Sequence, residues 1–169
     1  MAELIFFIVF AIGAIAGSLG VVLARNPVNS ALSLVIGFFF VAGTYVLLSA
    51  SFMGVIQVLV YAGAIMVLFL FVLMLLNLGD EDLGDGKIGF HQLVGVAMSI
   101  ALVVLLAQTI HATGFAQTRM VAESVPEGFG EVASIGTALI TTYVLPFEMA
   151  AVLLLTGIVS AVVVAKKRF

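Results

Sequence analysis

Cysteine is absent from this chain of 169 residues. Disulfides, thiol catalysis and iron–sulfur ligation by this polypeptide are thereby excluded. Charge is almost as scarce, at 9% of residues, with a formal net charge of −3. So small and scattered a charge gives no footprint for a nucleic-acid partner. No basic segment precedes the first apolar run, and no small-residue cleavage site followed by polar residues ends it. That run reads as a retained span rather than a removed leader. A nucleophile–base pair, a phosphate loop, a dinucleotide-binding glycine signature and a metal-ligand cluster are all missing. The chain alone cannot do redox chemistry. An internal repeat is missing too, which argues against the inverted-repeat construction of many secondary transporters.

What is present is apolar: 64% of residues are hydrophobic, with a mean hydropathy of +1.37. A soluble globular fold is untenable at that composition. The pattern predicts an all-α membrane protein, a single membrane domain over 1–169 with five spans. They are expected at about 4–23, 31–48, 54–77, 90–112 and 146–165, lengths suited to a hydrocarbon core of ~30 Å. A polar outer loop over 113–133 and a short interfacial helix at about 134–143 fill the last connection.

In the first span Gly13, Gly17, Gly20 and Ala24 make one smooth stripe, which lets another backbone approach closely. Asn26 is read as an N-cap with Pro27 in the first helical position. Ser33, Gly37 and Thr44 lie near one face of the second span. The uncharged hairpin 49–52 makes spans two and three antiparallel neighbours. The acidic segment 79–87 approximates a calcium loop at Asp80, Asp82 and Gly84, but its register and terminal glutamate are wrong, so it reads as a solvated loop. His91 and His111 stand at opposite ends of the fourth span and cannot share a metal. Counting twenty residues back from Lys166 puts Pro146 in the first turn of the last helix. Glu148 then sits in that first turn, where the helix dipole favours a negative charge; a helix starting at Ile135 would instead bury it as a proton-relay candidate. Arg25, Lys87, Lys166, Lys167 and Arg168 share one side and Arg119 stands on the other. This places the N-terminus outside and the C-terminus in the cytoplasm.

The third span carries the interest. Gln57 and Tyr61 are four residues apart and share a face of a helix, with Gly54 and Ala64 continuing it. Such a polar stripe at membrane depth calls for protein or water. Gly63, between Ala62 and Ala64, is a weak point in the helix. Two readings stand: a site for a π-bulge, or a close-packed crossing at which another helix rests beside Tyr61.

Here the chain resembles a known family. The string VIQVLVYAGAIMVLFLFVLMLLN over 55–77 closely resembles the third membrane helix of the chain J family of bacterial NADH–quinone oxidoreductases (respiratory complex I), counterparts of mitochondrial NADH dehydrogenase subunit 6. RNPVNSALSL and YVLPFEMAAVLLL extend the resemblance over nearly the whole chain. It implies a π-bulge in the third helix at Tyr61, Ala62 and Gly63, with Tyr61 as a gating side chain and Gly63 as the hinge. It implies a helix that switches between bulged and regular forms and so opens and closes a proton path. Gln57, Tyr61 and Glu148 are the candidate residues of that path, Gln57 only through its shared face with Tyr61. The implied function is that of a membrane-arm subunit coupling quinone reduction to proton pumping in the respiratory chain. This chain would bind no cofactor, while the assembled complex uses NADH, FMN, iron–sulfur clusters and a quinone such as ubiquinone. The implied partners are the other membrane subunits and the lipid of a bacterial inner membrane. A subunit of a multisubunit cation/proton antiporter or of a membrane-bound hydrogenase is the alternative.

Overall fold

The structure, a computed structural model, describes residues 2–76, 90–112 and 127–166, all of whose regular elements are helices. The acidic segment 79–87, the stretch 113–126 of the polar loop, and Lys87, Arg119, Lys167 and Arg168 lie outside the described residues. Among the described residues, five helices are long and apolar enough to cross a membrane. They are α1 (Ala2–Leu23), α2 (Pro27–Leu47), α3 (Ser51–Leu75), α4 (Phe90–Ala112) and α6 (Val144–Ala165); the short α5 (Val132–Thr141) precedes the last.

The first connection is built as its sequence dictates. Asn26 is extended, and its side-chain oxygen accepts the Val28 N–H at 2.8 Å. Pro27 stands in the first turn, where a missing N–H costs nothing, so α2 begins ahead of Ala31. At its other end Ser49 adopts φ 59. The Ala50 and Ser49 N–H groups fold back onto the Tyr45 and Val46 carbonyls, closing a Schellman turn. A serine in the left-handed position is uncommon, since its Cβ crowds the backbone there.

Helices α1 and α2 pack along the stripe of small residues. A Cβ on Gly17 would lie 2.8 Å from the Gly37 Cα, and one on Gly20 would lie 2.9 Å from the Ser33 hydroxyl. Phe40 lies over Gly13 and Phe10 over Gly43, with the two rings 6.5 Å apart. The Ser30 hydroxyl crosses to the Val21 carbonyl at 2.7 Å. The smooth face of α1 therefore meets α2 of its own chain, and no other subunit is needed to cover it. The other side of α2 takes α3: Gly54 sits under the Ala42 carbonyl, and Ala31, Met66 and Leu73 form a small core with Leu34, Val35, Phe38 and Leu70. Hydroxyls elsewhere turn back onto the carbonyl four residues earlier, as at Thr44 and Thr156, which keeps them satisfied without water.

Helices α4 and α6 differ from these. No residue in the apolar windows of either is buried. α6 packs mainly against α5, its neighbour across a tight turn in which the Tyr143 N–H reaches the Ala138 carbonyl.

Candidate functional site in the third membrane span

Helix α3 is not uniform. It opens as an α-helix over Ser51–Ile56, runs as a π-helix over Gln57–Ile65, and returns to α over Met66–Leu75. At the exit the Met66 N–H donates to the Tyr61 carbonyl, five residues back. A π turn holds one residue more than an α turn closed by the same bond, so it shifts the register of all that follows.

Burial shows the shift. Gly54, Ala62, Met66 and Leu73 are the buried residues of α3. At about 100° per residue, a regular helix with Gly54 on α2 would turn Ala62, Met66 and Leu73 roughly 80°, 120° and 100° away from it. Taking one residue out of the count brings all three to within about 20° of that face. The π segment is the extra residue. It lets both halves of α3 lie on α2.

This geometry breaks up the face read from α-helical spacing. Gly54 is buried against α2 whereas Ala64 is exposed, so the two do not continue one stripe. Gln57 is half-buried. Tyr61 stands 47% exposed and meets the Phe38 ring edge-on, with centroids 5.7 Å apart. Ala62 is the buried member of the trio. Gly63 lines an apolar groove of about 750 Å³ between α2 and α3, floored by Ala42, Gly43 and Gly54. A Cβ on Gly63 would lie 3.3 Å from the Val58 carbonyl, five residues back along the π turn. Such an approach is tighter than ordinary contact, so the absence of a side chain there eases the wide turn.

Glu148 is elsewhere. Helix α6 starts at Val144, so Pro146 is in the first turn and Glu148 enters the second. The carboxylate lies in a shallow groove with Leu145, Met149 and Val152. α3 and α6 share no extensive packing among the described residues, so the chain by itself does not bring Glu148 beside Gln57 and Tyr61. Sequence reasoning missed a contact at the start of α3, where the Phe52 N–H donates to the Gly130 carbonyl at 3.1 Å. Its signal was the Gly128-Phe129-Gly130 string, in which both glycines take positive φ.

The family profile for NADH-ubiquinone/plastoquinone oxidoreductase chain 6 matches residues 17–164, which takes in α3, its π segment and Glu148. The chain belongs to this family. Its relatives include NAD(P)H-quinone oxidoreductase subunit 6 of the organellar chromatophore of Paulinella chromatophora, 38% identical, with 98% of this chain and 78% of the relative covered. NADH-quinone oxidoreductase subunit J of Rhodobacter capsulatus is 34% identical over 92% of this chain and 78% of its own length. F(420)H(2) dehydrogenase subunit J of Methanosarcina mazei is 34% identical over 86% of this chain and 81% of its own.

Proposed function

We propose that the chain is a membrane-arm subunit of a proton-translocating NADH–quinone oxidoreductase in a bacterial inner membrane, and that α3 couples quinone reduction to proton movement by exchanging π and α forms. Membership of the chain 6 family and the names of its relatives support the assignment. With no cysteine and no catalytic constellation in the chain, the FMN, the iron–sulfur clusters and the NADH and quinone sites belong to other subunits. The electron donor is a property of those subunits, and one relative is named for F(420)H(2) rather than NADH. The distribution of Lys and Arg favours a periplasmic N-terminus and a cytoplasmic C-terminus.

The observation that carries the coupling role is the one-residue register shift. Returning the π segment to α would turn the two halves of α3 against each other by about 100°. Met66 and Leu73 would leave α2, and Ile65, Phe69 and Val72, now exposed, would come round in their place. Both sets are apolar and bulky, so either register offers α2 a hydrophobic partner. Tyr61 would take the place of Ala62, carrying its hydroxyl past Phe38 and changing the polarity of the groove wall. Partner subunits and water decide the balance between two such forms.

Gly63→Leu tests this. The added bulk meets the Val58 carbonyl and fills the groove, with strain of ~1–3 kcal/mol typical of overpacking, enough for a shift of roughly five- to 150-fold between two states. In fully assembled complexes, NADH oxidation by artificial acceptors is expected to persist while quinone-linked turnover and pumping fall together. Gly63→Ala should be much milder. Wild-type pumping by assembled Gly63→Leu would make Tyr61–Ala64 a packing crossing and nothing more.

A further inference from the structure

The first N–H groups of a helix have no acceptor within it. For α3 this falls beside a tight turn, and Ala50, its N-cap residue, has no side-chain acceptor to offer. The acceptor comes from far along the chain, as the Gly130 carbonyl takes the Phe52 N–H at 3.1 Å. Glycine is required at 130 for two reasons. Its φ is +73, and a Cβ there would run into the Ser49 carbonyl and lie 2.9 Å from the Ala50 Cα. Ser49 is itself left-handed, so each of the two turns holds an unusual backbone where they touch. The turn that presents Gly130 is braced from its own side. The Gly128 carbonyl accepts the Glu131 N–H at 3.2 Å and the Ser134 hydroxyl at 2.7 Å. Ser51, Phe52 and Val55 face Glu131, Val132 and Ala133 across a small cleft.

We propose that the 127–130 turn is a latch that holds the start of α3, and that the π segment transmits movement along the helix only while this end is held. The proposal rests on the coupling role given above to the π segment. A one-residue change of register turns one end of α3 against the other, and the fixed end decides where the rotation appears. Ser51–Ile56 is fixed by the latch and by Gly54 under the Ala42 carbonyl, so the rotation is delivered to Met66–Leu75. With the latch open, the start of α3 slips instead and the coupling is dissipated there.

The test uses assembled complexes in lipid nanodiscs, with two readings: amide hydrogen exchange over residues 50–54, and protons translocated per electron passed to quinone. Slow exchange at Phe52 is expected in the wild-type complex. Gly130→Ala and Gly130→Asn should each speed it at least tenfold and lower the proton-to-electron ratio at least twofold, at unchanged NADH oxidation by an artificial acceptor. Gly136→Ala, at an α5 position with nothing within 4 Å, should change neither. Asparagine tolerates positive φ, so wild-type behaviour of Gly130→Asn would mean that contact with Ser49 is not what requires the glycine, and would overturn the latch. Fast exchange at Phe52 in the wild-type complex would overturn it too, even if no variant assembles. Faster exchange at an unchanged ratio would overturn its part in coupling. Gly63→Leu in the same assay reports separately on the π segment, and its result leaves the exchange at Phe52 untouched.

Discussion

The first three spans and the last two solve the same problem differently. α1, α2 and α3 hold one another through glycines set opposite bulk or backbone: Gly13 under Phe40, Gly17 on Gly37, Gly43 under Phe10, Gly54 under the Ala42 carbonyl. α4 and α6 are as long and as apolar, yet no residue of their apolar windows is buried. Gly95 and Gly157 in these helices have nothing within 4 Å. Lipid is as apolar as leucine, so hydrophobicity does not drive membrane helices together; close approach of backbones does. Among the described residues, α1, α2 and α3 make one packed unit, and α4 and α6 are two spans whose surfaces the chain itself leaves uncovered. The site of interest lies on the packed unit, where a wide turn can be held in register by contacts on both sides of it.

The largest effect is expected where backbone meets backbone. Gly17→Leu would push a side chain onto the Gly37 Cα and N, 2.8 and 2.9 Å from the Cβ position, and neither atom can move without moving α2. The cost is about 3 kcal/mol, the upper end of overpacking. The subunit should disappear from membranes, as measured by its content in the purified complex. Gly157→Leu is the matched change on the bare side. It should leave the protease resistance of the detergent-solubilised chain as it was, and any loss of assembly it causes would place a partner helix on α6.

The smallest effect is expected at Glu148. It lies on an exposed helix at the start of the second turn, just past the N-terminal amides, where the dipole is already weaker. Glu148→Gln should assemble and retain most quinone-reductase and pumping activity. Near-complete loss of pumping in an assembled complex would assign it a proton-relay role that requires a neighbouring subunit.

Much of this was legible from residue types alone. Long uncharged runs announce spans, Asn26-Pro27 announces a helix start, and the glycine stripe of α1 announces close packing. The stripe could not name its partner, because small residues specify a distance of approach and not an identity. The face of α3 was misread for a different reason. Spacing arguments assume 3.6 residues per turn throughout, and one inserted residue moves Ala64 out and Ala62 in. Every position from Val58 to Leu76 except Tyr61 is apolar or glycine, so beyond the insertion no polar residue marks the phase. The Gly130 contact was hidden because it joins turns far apart in the chain, and only the pair of positive-φ glycines hinted at it.

The register shift can be put to a direct trial by deleting Val60 from the π segment. In a regular helix, losing one residue swings everything beyond it by about 100° and strips Met66 and Leu73 from α2. In a helix that already holds one residue too many, the deletion removes the surplus and leaves Gly54, Met66 and Leu73 on the same side. The deleted chain should therefore appear in membranes and in the purified complex at wild-type levels, while quinone-linked proton translocation collapses because only the regular form remains. Failure of the deleted chain to assemble would contradict the register argument, and assembly with full proton translocation would contradict the coupling role of the π segment.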